Sequence, residues 1–246
     1  MQLTTMSSSG EQGTDRRRVT AAALRRIPFF REVCEDSLAS LAAVSSRQVL
    51  GHGDSLWESD DAIEAIFVLA AGVVRLYRHL DSDEEVTVAL LDRRQICGLA
   101  GLDAAFMPTT VAQVLFDETV VYRIPRRDFA AFLLANPAVA LRALAEACQR
   151  VRDAYDLYAL PDVHARVAYV LAHLTTDNER TVWATQEELA TWANGRREAL
   201  TGEVLPELRR RGLITYERHR RGIRVLNRAK LLTLAADTDA RVRRRT

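Results

Sequence analysis

The stretch 96-ICGLAGLDAAFMPTT-110 has the makings of an anion site. Gly98 and Gly101 let a backbone bend tightly and turn its N–H groups toward a ligand, and Thr109 and Thr110 add two hydroxyls. A second cluster is basic: Arg218, Arg220 and Arg221 crowd one turn just before Gly222. Other residue types are too dispersed for chemistry. Cys34, Cys97 and Cys148 lie far apart with no C-x-x-C pair, and His52, His79, His164, His173 and His219 form no H-x-H or H-E-x-x-H pattern. That spacing gives no disulfide framework, no metal site and no catalytic constellation.

Composition narrows the class. With 48% hydrophobic and 27% charged residues, the 246-residue chain is an ordinary globular protein with room for two small domains. No apolar run approaches the ~20 residues of a membrane span, and the polar start lacks the apolar centre of a signal peptide. A cytoplasmic protein is expected. The net charge of +1 conceals an asymmetry: residues 1–161 hold 17 basic against 22 acidic side chains, and residues 162–246 hold 17 against 11. An acidic first part joined to a basic second part suggests a sensing domain that carries a nucleic-acid domain.

The elements that must position these residues follow from pattern. Residues 20–44 read as short helices broken at Ile27-Pro28, where proline lacks an N–H and disfavours helical geometry before it. Segments 64–70, 73–80, 85–91 and 111–124 are short, rich in β-branched and aromatic residues, and separated by turn residues. They predict an antiparallel β-roll. In 137–160, Leu141, Leu144, Cys148, Val151, Tyr155 and Tyr158 recur at spacings of three and four, the stripe of a two-stranded seam. Pro161-Asp162 is the expected hinge, followed by a helix over 163–174.

Next comes 185-TQEELATWANGRREALTGEVLPELRRRGLI-214. Thr185 with Glu188 forms a capping box, Asn194-Gly195 a turn with a left-handed position, and Arg196 begins a second helix. Short helix, tight turn and second helix describe a helix-turn-helix, and the alternating 213–227 segment with its basic tip describes a wing.

In this order the features resemble the CRP/FNR family of dimeric bacterial transcription regulators: a roll with 67-FVLAAGVVRLY-77, the glycine-rich cassette, a long helix after Asn136-Pro137, and 196-RRE-198 in the helix-turn-helix. The implied fold is α+β, an N-terminal antiparallel β-roll (jelly roll) with flanking helices, a long dimerisation helix and a C-terminal winged helix-turn-helix. The boundaries are a tail over 1–18, the roll over 19–135, the dimer helix and hinge over 136–161, the winged domain over 162–236 and a basic tail over 237–246. The resemblance implies base reading in the major groove by Arg196, Arg197, Glu198 and Thr201, because arginine can bond both acceptors of guanine and glutamate can accept from cytosine. It implies phosphate contacts from Thr185, Gln186, Arg218, Arg220 and Arg221. Partners would be double-stranded DNA, a second copy of the chain and RNA polymerase, with no membrane and no catalysis.

The effector side departs from the family. Its cyclic-nucleotide members carry a glutamate where Leu99 stands and an arginine where Thr109 stands, while Gly98, Gly101 and Thr110 fit. No cofactor is therefore expected, and cyclic AMP should not bind. The loop is expected to be a folded remnant packed through Leu99, Leu102 and Phe106. Arg75, Arg78 and Arg123 are strand arginines that could replace the missing cation. Gating by another small ligand, by haem on Cys97 or His79, or by cysteine oxidation stays open. A cupin-like β-roll enzyme with an appended winged helix would need clustered histidines, and a nucleoid protein would bind DNA without sequence preference.

Overall fold

The computed structural model describes residues 18–80, 84–160, 162–175, 180–216 and 222–243, with backbone alone at 156–159 and 236–243. The first part is the expected roll, two antiparallel four-stranded sheets face to face. One has the order β1 (Ser46–Leu50), β8 (Thr119–Pro125), β3 (Ala65–Ala71), β6 (Ile96–Cys97). The other runs β2 (Ser55–Trp57), β7 (Val111–Val114), β4 (Val74–His79), β5 (Glu85–Leu91). Strand β3 is apolar at every position because both its faces are covered. Ala65, Phe67 and Leu69 point between the sheets, while Ile66 and Val68 point outward into a helical layer.

That layer holds α1 (Ala21–Arg25), a 3-10 turn at Pro28–Phe30, α2 (Glu35–Val44), α3 (Arg126–Ala135) and the start of α4 (Pro137–Ala159). Phe29, Phe30, Phe129 and Phe132 form its centre, with Phe29 and Phe30 edge-to-face at 4.9 Å. The expected break at Ile27-Pro28 is present, with Ile27 extended at ψ 126°. The expected strand over 111–124 is instead two strands. Between them the chain leaves the sheet at Leu115, and Glu118 takes a left-handed φ of 59° that no strand accommodates.

The second part holds α5 (Val163–His173), β9 (Thr181–Trp183), α6 (Gln186–Trp192), α7 (Arg197–Ala199), α8 (Leu205–Arg210), β10 (Ile214–Tyr216), β11 (Gly222–Val225) and α9 (Arg228–Arg243). The predicted hairpin is β10–β11, and β9 joins it as a third strand that pattern does not announce. Val167, Leu171, Leu189, Leu200, Leu205 and Leu231 belong to one buried core. Between α7 and α8 the chain makes a π turn at Leu200–Val204, where the Leu205 N–H reaches the Leu200 carbonyl. Pro206 accounts for it. With no N–H to give and a ring that clashes one turn back, it widens the preceding turn, so the distortion falls before the proline rather than at it.

Candidate nucleic-acid interface

Local chemistry sets the helix-turn-helix. The Thr185 hydroxyl accepts from the Glu188 N–H at 3.1 Å, and Glu188 Oε2 accepts from the Thr185 N–H at 2.7 Å, closing the capping box at the start of α6. Burial acts to raise the Glu188 carboxyl, but the bonds with Thr185 and the nearby His52 outweigh it and hold the group below its usual range. Asn194 takes the left-handed turn position with φ 49°. Arg166 on α5 fastens that turn from beneath: its guanidinium donates to the Ala193 carbonyl at 2.9 Å, the Asn194 carbonyl at 3.2 Å and the Leu160 carbonyl at 3.2 Å. One side chain thus joins the end of α4 to the turn.

The expected base-reading residues emerge together from this frame. Arg196 is the N-cap of α7, and Arg196, Arg197 and Glu198 are all exposed, with Thr201 half-buried one turn on. Arg197 is 61% exposed and meets Glu187, 68% exposed, at 3.6 Å. So exposed a pair contributes little and separates readily. Thr185 is the N-cap and Gln186 the first residue of α6, at the end of that helix away from the turn. The wing residues Arg218, Arg220 and Arg221 lie outside the described residues.

On α4, two faces do different things. Val139 and Ala143 pack into the helical layer, and Arg142 donates to the Phe29 carbonyl at 2.7 Å and pairs with Glu32. The stripe faces away: Leu141, Leu144, Val151 and Tyr155 are 71%, 62%, 56% and 71% exposed, with Cys148 exposed among them. Such a column of apolar side chains on one helix is a surface that calls for a partner. The Tyr158 side chain lies outside the described residues.

In the cassette, Gly98 is left-handed at φ 89° and caps a 3-10 turn over Leu99–Leu102. A Cβ on Gly101 would lie 2.6 Å from Ile63 Cβ and 2.8 Å from the Ile63 carbonyl. Both glycines are thus explained by the turn and by close packing. Leu99 and Leu102 pack against the phenylalanine layer as expected. Phe106 does not, being 41% exposed. The turn that carries it, with Asp103 accepting from the Ala105 and Phe106 N–H groups, swings it outward. Thr109 is exposed where the family's arginine would stand, and the Thr110 carbonyl accepts from Trp57 Nε1 at 2.9 Å.

Among the strand arginines, Arg123 shares a cleft with Ile63, which packs on Gly98 and Gly101, and with Trp57, which bonds Thr110. Arg75 is engaged by Glu85 and Thr87, Arg78 is exposed, and the cleft of about 380 Å³ that Arg123 lines also holds Asp61 and Glu64. A further cation, Arg150 of α4, lies near enough to act on Cys97. Its Nε and one terminal nitrogen are buried without a partner among the described residues, and its charge acts on the Cys97 thiol at the foot of the cassette. Burial still dominates there and pushes the Cys97 thiol up to about 12. Among the described residues, no three His, Cys, Asp or Glu side chains gather as metal ligands, and no single helix is long and apolar enough to cross a membrane.

Comparison with known proteins gives two matches in chain order. Residues 47–136 match the cyclic nucleotide-binding domain and residues 165–234 match the Crp-like helix-turn-helix domain. The chain belongs to the CRP/FNR family of transcription regulators. Among relatives of this CRP/FNR protein is the cyclic AMP receptor protein of Thermus thermophilus, 26% identical over 192 residues, which are 76% of this chain and 88% of that one. Of solved structures, FixK2 from Bradyrhizobium japonicum shares the fold with a TM-score of 0.64 at 18% identity, covering 78% of this chain and 97% of that one. The c-di-GMP-responsive global regulator CLP of Xanthomonas campestris does so with a TM-score of 0.62 at 17% identity, covering 78% and 99%.

Proposed function

We propose that this CRP/FNR protein binds an inverted-repeat promoter site as a homodimer in the cytoplasm, engages RNA polymerase there, and needs no cyclic AMP to do so. The observation that carries the reading is the exposed group of Arg196, Arg197 and Glu198 at the mouth of a capped, buried helix-turn-helix. A rigid turn beneath and free polar ends above are what base-edge contacts in a major groove require. The apolar stripe on α4 supports the dimer, and two symmetry-related reading heads would make the site an inverted repeat. Neither a glutamate at 99 nor an arginine at 109 is present to hold a cyclic nucleotide. The test is to select duplexes from a random pool with the purified chain, then measure Arg197→Ala on the selected site. A specific loss of ~1–3 kcal/mol, with random DNA little affected, supports the reading. Equal losses on both refute it.

One observation favours a second reading, control by a small anionic ligand other than cyclic AMP. Arg150 brings two guanidinium nitrogens, unpartnered among the described residues, into the protein beside Cys97, a costly arrangement that an anion would relieve. In that reading the cation comes from the dimer helix rather than from the cassette. Thermal shifts with inorganic phosphate and simple dicarboxylates, absent in Arg150→Met, would support it.

A further inference from the structure

The helix-turn-helix turn is joined to the roll by an unusual pairing. Strand β5 is an edge of its sheet among the described residues. An edge strand presents backbone N–H and C=O groups with no neighbouring strand. At Thr87 both groups are taken by one side chain, Asn194: the Thr87 N–H donates to Asn194 Oδ1 at 2.7 Å, and Asn194 Nδ2 donates to the Thr87 carbonyl at 2.9 Å. A carboxamide has a donor and an acceptor side by side, so it reproduces the pair of bonds that another strand would make. The same residue is held a second way, since the Thr87 hydroxyl donates to the Thr191 carbonyl at 3.1 Å and accepts from Arg75 Nε at 2.8 Å. Arg75, only 2% exposed, is fixed in turn by Glu85 at 2.6 Å. On the far side of the turn, Arg166 holds the backbone carbonyls of Ala193 and Asn194 and reaches the end of α4 at Leu160. A polar chain thus runs from the β4–β5 hairpin through Asn194 to the end of α4.

We infer that Asn194 is a positioning residue for DNA reading: it locks the turn onto the edge of β5 and thereby sets the direction in which the recognition helix leaves the roll. This rests on the DNA-binding reading above. The contact grips the turn but leaves Arg196, Arg197 and Glu198 exposed, so it aims the reading face instead of covering it. Aim matters when two heads must meet two half-sites at once. A protomer whose turn swings freely spends part of its time misdirected, and apparent affinity falls with the fraction correctly aimed.

The variant that isolates this role is Asn194→Gly. Glycine accepts a positive φ as asparagine does, so the turn and the bonds from Arg166 to its carbonyls are retained. Only the carboxamide is lost. Two measurements on the full chain are compared with wild type: hydrogen exchange at the Thr87 amide, and affinity for duplexes selected by the wild-type chain. The expected result is faster exchange at Thr87 with α6 and the roll unchanged, and roughly tenfold weaker binding to the full inverted repeat. Binding to a duplex with a single half-site should change less than twofold. Unchanged exchange at Thr87 overturns the inference, as does unchanged or tighter binding to the full repeat. Equal losses on full and half sites also overturn it, because they would mean that Asn194 touches DNA directly. Failure of the wild-type chain to select any duplex would instead refute the DNA-binding reading itself.

Discussion

Replacing both Leu144 and Val151 with aspartate should convert the proposed dimer to monomers without unfolding the roll. Both side chains are more than half exposed in the protomer, so the fold draws little stability from them. Full burial of such a side chain is worth ~1.5–3 kcal/mol, and with over half of that still available each contributes ~1–2 kcal/mol on pairing. Two residues on each of two helices give ~4–8 kcal/mol, before the repulsion among four carboxylates that the variant brings together. At 1.4 kcal/mol for each factor of ten, the dimer dissociation constant should rise by roughly a thousandfold or more. Sedimentation velocity at micromolar concentration should show a dimer for wild type and a monomer for the variant, with midpoints of thermal unfolding extrapolated to the monomer nearly equal. Binding to the full inverted repeat should weaken steeply, since one head alone remains. A variant that still sediments as a dimer would refute the seam assignment. A variant that unfolds would show that α4 uses this face within its own protomer.

The cassette glycine can be tested against a helical one. Gly101→Ala should destabilise by ~1–3 kcal/mol through its clash with Ile63, whereas Gly202→Ala, whose Cβ would meet nothing within 4 Å, should stabilise by ~0.4–1 kcal/mol in denaturant titrations. Tolerance of alanine at 101 would remove the packing explanation. Cys97 is buried with its thiol held protonated, so native chain treated with iodoacetamide at pH 8 should be labelled at exposed Cys34, spared at Cys97, and slow to react at Cys148, which the proposed dimer seam covers. Cys34 should react first, because hydrogen bonding from Ser37 lowers its pKa. Burial also lowers His173, so the unfolded chain takes up its proton first and stability should fall as pH drops below ~6.5. Asp92, raised by burial, acts with the opposite sign at lower pH, where the folded carboxyl protonates first. His173→Gln should flatten the slope between neutral pH and pH 5, and an unchanged slope would refute this assignment.

How much of the fold and of the site is legible in the sequence depends on where each residue's partner lies. Strand β3 declares itself because burial on two faces leaves an unbroken apolar run, and the capping box because both partners lie within one turn of each other. Strands β2, β6 and β9 have only two or three residues, too few for alternation to register. The π turn is hidden for another reason: proline signals a distortion but not whether the chain takes it before or after the ring. Asn194-Gly195 is readable as a turn, yet its grip on Thr87 is not. An unpaired edge strand offers backbone groups, which every residue has, and the two partners lie 107 residues apart.

Arg150 is the instructive case, because its signal is present in the sequence and points inward. The stripe at 141, 144, 148, 151 and 155 identifies the face of α4 that leaves the protomer. What remains at helical spacing on another face is Val139, Ala143 and, seven residues further, Arg150. Val139 and Ala143 are buried against the phenylalanine layer, and a residue two turns along on their side must enter the same protomer. The helix as well as the strands can therefore supply a cation near the cassette. A stripe read as a dimer seam also fixes, by subtraction, which side chains the helix sends into its own domain. In this chain that subtraction brings the Arg150 charge within reach of Cys97, at the foot of the cassette.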